Sequence, residues 1–216
     1  MRTVIGYILT YTYISLVIII TELIKRKYSL KNEISRKIIH IMVGLSWFIM
    51  IYFFSFTYHL MIPPLTFIFI NYISYKTNFL KSMERPDKES KGTIYYAISF
   101  TILSMITVLN HDFLPFYGIG ILAMVLGDGI APFIGSKIPQ YKIKNTTKTY
   151  FGSLTIIIIT FLLTLIITKN YHLSYSIYEI LIISISASIL ELIGVKGFDN
   201  LTLPLGLALI SWLLAI

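Results

Sequence analysis

Unbroken apolar runs of 16 to 22 residues recur along the whole chain, separated by short polar connections. They run from Thr3 to Ile24, Ile38 to Phe56, His59 to Tyr75, Thr93 to Leu109, Phe113 to Ile134, Phe151 to Thr168, Ile177 to Val195 and Leu201 to Ile216. A helix needs roughly 20 mostly apolar residues to cross a hydrocarbon core of about 30 Å, so the pattern predicts about eight transmembrane helices. The runs are continuous rather than alternating in character, which fits helices and not the strands of a membrane barrel. The third carries Pro63-Pro64 and the last holds 16 residues, and a count of seven or eight turns on these two.

Composition sharpens this picture. Of 216 residues 56% are hydrophobic and 13% charged, with a mean hydropathy of +0.79. A soluble domain carries about 25% charged residues, so this chain has too little charge to cover a solvated surface. The formal net charge is +8, and every Lys and Arg lies outside the apolar runs. Lys25, Arg26, Lys27, Lys31, Arg36 and Lys37 follow the first run, Lys76, Lys81, Arg85, Lys88 and Lys91 the third, Lys137, Lys142, Lys144 and Lys148 the fifth, and Lys196 the seventh. Only Arg2 and Lys169 fall on the other side, so the positive-inside rule places these four connections in the cytoplasm and both termini outside. The positive charge therefore reads as topology, and no nucleic-acid partner is expected. The first run precedes its basic block and lacks a small-residue exit, which marks a retained helix rather than a cleaved signal. No linker divides the chain, and a single all-α membrane domain over residues 1–216 is expected.

Several chemistries are excluded. Without cysteine there is no disulfide, thiolate nucleophile or cysteine-based zinc site. His40, His59, His111 and His172 form no H-E-x-x-H pair, and neither G-x-x-x-x-G-K-[ST] nor G-x-S-x-G occurs.

Ionisable residues inside a bilayer are costly and mark functional sites. Asp128 lies about six residues before the cytoplasmic end of the fifth run, roughly 10 Å below that edge, between Gly127 and Gly129 and ahead of Pro132. Glu191 sits about one turn from the cytoplasmic end of the seventh run, in line with Ser184 and Ser188. Asp199 and Asn200 open the eighth, and Arg36, Lys37 and His40 share a face at the cytoplasmic mouth of the second. Lys137, Lys142, Lys144 and Lys148, followed by Thr149, Gly152 and Ser153 at the start of the sixth run, surround a helix N-terminus suited to phosphate. Carboxylates beside a basic phosphate cradle are what a Mg²⁺-nucleotide requires. A lysine at a membrane boundary ordinarily marks topology or meets anionic lipid, and Glu22 and Glu179 read as boundary residues. Asp128, deep in a span, has no such ordinary reading.

Five segments in collinear order resemble the polyprenol kinase family: R-K-I-I-H-I-M-V-G (Arg36 to Gly44), K-G-T-I-Y-Y (Lys91 to Tyr96), G-D-G-I-A-P-F-I-G (Gly127 to Gly135), K-T-Y-F-G-S (Lys148 to Ser153) and E-L-I-G-V-K-G-F-D-N-L-T-L-P (Glu191 to Pro204). That family includes dolichol kinase, phytol kinase and the CTP-dependent diacylglycerol kinase of yeast type, and is distantly similar to phosphatidate cytidylyltransferases. The resemblance implies a multi-helix membrane enzyme that transfers phosphate, usually from CTP with Mg²⁺, to the hydroxyl of a lipid alcohol. It implies catalytic roles for Asp128, Glu191, Asp199 and His40, with the three acids as metal ligands. The nucleotide-binding candidates are Arg36, Lys37, Lys137, Lys142, Lys148, Thr149, Gly152, Ser153 and Asn200. Where the family commonly has Glu in K-[ST]-x-E-G-S, this chain has Phe151. Cytidylyl transfer to a lipid phosphate, and a transporter or non-catalytic scaffold, are the competing readings. A transporter would place its polar residues near the midplane, whereas these gather at one end.

Overall fold

A computed structural model describes residues 1–54, 56–77, 90–138, 140–144, 146 and 148–216. Lys81, Arg85 and Lys88 lie outside the described residues, as do Ser55, Pro139, Asn145 and Thr147. The described residues are helical, apart from connections and one isolated antiparallel bridge between Lys142 and Thr149. They gather into two compact units, Met1–His111 and Asp112–Ile216.

In the first unit, α1 (Arg2–Tyr28) packs on α2 (Asn32–Gly44) and α3 (Ser46–Phe54), while α4 (Ile62–Thr77) packs on α5 (Gly92–Leu109). Helix α1 buries Gly6, Thr10, Ile14, Val17 and Thr21, one face at intervals of three or four residues, and leaves Val4, Ile8, Leu16, Ile19 and Leu23 exposed. Small residues inside and large aliphatic residues outside are the arrangement of a helix surrounded by lipid. Pro63 and Pro64 occupy the first turn of α4, after a 3₁₀ turn over Tyr58–Met61. At that position the missing N–H groups have no intrahelical partner to lose, so the prolines start α4, the helix of the third run, instead of breaking it.

The second unit is built round one almost wholly buried rod: α6 (Leu114–Leu122), a π-helical turn over Ala123–Asp128, and α7 (Gly129–Gly135). Every residue of α6 is buried. Around this rod pack α8 (Tyr150–Tyr171), α9 (Ile177–Ile193) and α10 (Asp199–Ala215). Close approach depends on Gly120, where a Cβ would fall 2.3 Å from the Pro204 carbonyl oxygen of α10. The buried face of α9 is Ser184, Ala187, Ser188 and Glu191, set among Ile180 and Ile183, again small and polar inside with Ile182, Ile185 and Ile189 exposed.

Each of the eight predicted runs is largely helical among the described residues. Five stretches, Arg2–Tyr28, Asn32–Phe54, Gly92–Leu109, His111–Gly135 and Tyr150–Tyr171, are long and apolar enough to cross a membrane, and Asp199–Ala215 is a shorter apolar helix. The chain is a multi-pass, all-α membrane protein.

Candidate active site

The site belongs to the second unit, and three backbone features create it. The first is the π turn ending at Asp128: Gly127 and Gly129 flank the carboxylate and Pro132 follows within α7. A π turn inserts a residue into the helix and re-aims the side chains beyond it, and such turns recur at functional sites.

The second is the junction of α9 and α10. Helix α9 stops at Gly194, and the chain reverses through Lys196 (φ 54°) and Gly197 (φ 87°), closed by a bond from the Phe198 N–H to the Val195 carbonyl of 3.0 Å. Positive φ at both central residues is what a reversal this tight needs, and glycine takes it without cost. A Cβ on Gly194 would lie 2.4 Å from the Cα and N of Asp199. Only glycine lets the end of α9 close on the start of α10, which brings Glu191 and Asp199 together. The Asn200 N–H donates to Asp199 Oδ1 at 3.2 Å and steadies that carboxylate.

The third is the connection from α7 to α8, which folds back on itself. The Ile143 N–H donates to the Lys148 carbonyl at 2.9 Å and the Tyr150 N–H to the Tyr141 carbonyl at 3.0 Å. Thr149 caps α8, its hydroxyl accepting from the Gly152 N–H at 3.1 Å. Lys148 thus enters from a fixed backbone.

Asp128, Glu191 and Asp199 each offer a carboxylate oxygen, and these oxygens lie within 4.8 Å of one another. Asp128 and Glu191 are buried and Asp199 is partly so. Lys148 Nζ stands 2.8 Å from Glu191 Oε1 and 3.7 Å from Asp199 Oδ2. The same ammonium donates to the backbone carbonyls of Glu191 and, at 3.4 Å, Gly194, at the negative end of α9. A set of carboxylate oxygens at this spacing suits a hard divalent cation of the Mg²⁺ type, and offers nothing to a soft one.

The other predicted residues distribute differently. Lys137 and Lys142 are exposed on the α7–α8 connection, Gly152 is buried in the first turn of α8, Ser153 is part-buried there, and Asn200 is buried beside Asp199. Arg36, Lys37 and His40 lie on α2 of the first unit. There Arg36 pairs with Glu33, Lys37 and His40 are buried, and the Tyr96 hydroxyl donates to the His40 carbonyl at 2.8 Å. Phe151, at the position where an acid is common, packs edge-on against Tyr141 with ring centroids 5.4 Å apart. The three carboxylates come together without it.

Sequence reasoning selected Asp128 from its depth, and Glu191 and Asp199 from their places at a span end and in the family motif, and missed the two devices that unite them. The π turn has no sequence signature beyond its glycines. The α9–α10 closure was visible as Gly194 followed by Lys196-Gly197, a helix-stop pattern.

The chain is 31% identical over 214 residues to a phytol kinase from Synechocystis sp., covering 93% of this chain and 88% of that protein. It is 26% identical over 215 residues to phytol kinase 1, chloroplastic, of Arabidopsis thaliana, covering 89% of this chain and 70% of that protein. With a probable phytol kinase 2, chloroplastic, of Oryza sativa it shares 31% identity over 140 residues, 58% of this chain and 45% of that protein. No protein-family model matches the chain, and no solved structure does.

Proposed function

The chain belongs to the polyprenol and phytol kinase family, and from that premise we propose that it is a lipid-alcohol kinase whose phosphoryl-transfer site is the acidic cluster at the α9–α10 junction. The observation that carries the reading is the convergence of Asp128, Glu191 and Asp199 beside Lys148. The acceptor is a phytol-like isoprenoid alcohol or another membrane alcohol, a polyprenol or diacylglycerol. The donor is a nucleoside triphosphate, with CTP the first to test. The site faces the cytoplasm, on the side of the lysine-rich connections.

Phosphoryl transfer asks a protein mainly for positioning and charge neutralisation. The alcohol oxygen forms a bond to the γ-phosphorus as the bond from that phosphorus to the bridging β-oxygen breaks, and the nucleoside diphosphate leaves. The hydroxyl proton passes to a carboxylate of the cluster. Asp128, Glu191 and Asp199 would hold Mg²⁺, which when bound neutralises the phosphate oxygens. Lys137 and Lys142 on the α7–α8 connection, and the capped start of α8 at Thr149, Gly152 and Ser153, supply cations and N–H donors for the phosphate chain.

Product analysis tests the proposal. Purified protein in nanodiscs receives Mg²⁺, γ-labelled CTP or ATP, and in parallel phytol, geranylgeraniol, undecaprenol, diacylglycerol and phosphatidate. Label in an alcohol together with a nucleoside diphosphate is the expected result and identifies donor and acceptor. Pyrophosphate release with phosphatidate, or no turnover with any donor, would overturn it.

A further inference from the structure

Lys148 was expected among the phosphate-binding lysines, yet its ammonium is already committed. It has three N–H bonds to give. Around it stand Glu191 Oε1 at 2.8 Å, the carbonyl of Glu191, the Gly194 carbonyl at 3.4 Å and Asp199 Oδ2 at 3.7 Å. Four oxygens on two elements enclose one charge, in a pocket where Glu191 is buried and the lysine side chain is 20% exposed. A lysine so placed has no proton left for a phosphate.

It also occupies ground that a metal needs. A divalent cation held by Glu191 and Asp199 would share those oxygens with an ammonium a few ångströms away, in a partly dehydrated site where like charges repel strongly. The two cations exclude each other unless one moves. Lys148 can move: its backbone is fixed by the Ile143–Lys148 and Tyr141–Tyr150 bonds and the Thr149 cap, while its four-carbon stem is flexible and its head is a rotatable point charge.

We infer that Lys148 is the resident cation of the acidic cluster, holding Glu191 and Asp199 in register until the phosphates of an incoming nucleotide draw its ammonium off, so that a divalent cation enters with the nucleotide and not ahead of it. Lys148 is in this sense a positioning residue that acts through the acids and couples metal binding to nucleotide binding. The inference rests on the acidic cluster being the metal–nucleotide site.

The test is Mn²⁺ binding, followed by electron paramagnetic resonance, to the full chain in nanodiscs without nucleotide or alcohol. Wild type should bind Mn²⁺ weakly. Lys148→Met, which removes the charge and keeps the stem, should bind it at least tenfold more tightly. Lys148→Gln, which keeps N–H donors for the two carbonyls, should do the same and guards against a folding defect in the Met variant. Lys148→Arg should remain weak. In EDTA, the affinity for metal-free CTP should fall several-fold in the Met and Gln variants. Mn²⁺ binding by Lys148→Met and Lys148→Gln no tighter than wild type, with Asp128→Asn abolishing it, would overturn the inference and leave the metal site standing. Unchanged CTP affinity in both variants would equally overturn it, since the ammonium would then never pass to phosphate. Mn²⁺ binding indifferent to Asp128→Asn and Asp199→Asn would instead remove the metal site on which the inference rests.

Discussion

Two glutamates close the two ends of α9, and they do so in opposite ways. At the N-terminal end Ser176 and Glu179 form a capping box: the Ser176 hydroxyl accepts from the Glu179 N–H, and the Glu179 carboxylate accepts from the Ser176 N–H at 2.6 Å. The partners are three residues apart and exposed. At the C-terminal end Glu191 is buried, and its carboxylate and carbonyl both take Lys148, 43 residues away in sequence. The first end is a local solution to the orphan N–H groups that every helix start has. The second gathers charge in a dehydrated place at a cost that helix termination alone does not require, since a glycine C-cap with water would do. One end serves the helix, and the other carries the acids of the proposed site.

The comparison breaks most sharply under chelation. EDTA should reduce phosphoryl transfer to background and Mg²⁺ should restore it, with far-ultraviolet circular dichroism unchanged throughout. Turnover that survives exhaustive chelation would remove the functional reading of the C-terminal end.

Next comes the paired substitution. Glu191→Gln should lower turnover by about 10²–10³-fold, the scale of losing one charge-stabilising group in an active site. Glu179→Gln, the same chemical change at the other end, should leave turnover within about twofold of wild type. Equal effects at the two ends would erase the distinction.

A smaller effect is expected at the hinge between the acids. Gly194→Ala should cost about 1–3 kcal/mol of stability, the usual penalty for overpacking, because its Cβ would press on the Asp199 backbone. Turnover should fall further than this loss of stability explains, because Glu191 and Asp199 separate. Thermal unfolding and single-turnover rates measured on one preparation check both. Ser176→Ala should have the least consequence, about 1 kcal/mol from the lost cap with kinetics unchanged. A kinetic defect there would show that the two ends communicate.

Much of this protein is legible in its residues because the bilayer is a severe solvent. A run such as Phe151 to Thr168 has no alternative to a helix once water is excluded, so all eight helical runs appear in the pattern. Helix ends are less legible. Pro63-Pro64 reads as an interruption, yet the preceding 3₁₀ turn makes it a helix start. The S-x-x-E of Ser176 and Glu179 spells its own cap, although depth alone suggested no more than a boundary residue at Glu179.

The site divides in the same way. Asp128 and Glu191 stand out by their position along apolar runs, a one-dimensional property set by the energy of a charge in hydrocarbon, and Asp199 by its place just before the last run. Lys148 reads in the sequence as the first residue of K-T-Y-F-G-S and as a phosphate ligand, with nothing to tie it to the acids. Its partnership with the α9 terminus arises from a folded-back connection, a turn at Lys196-Gly197 and a π turn at Asp128. The sequence by itself thus determined a multi-pass helical membrane protein and which acids stand in it, because burial energies act residue by residue. Only the tertiary structure decided that these acids meet and that Lys148 lies on them, because ion pairing depends on distances that chain separation does not encode.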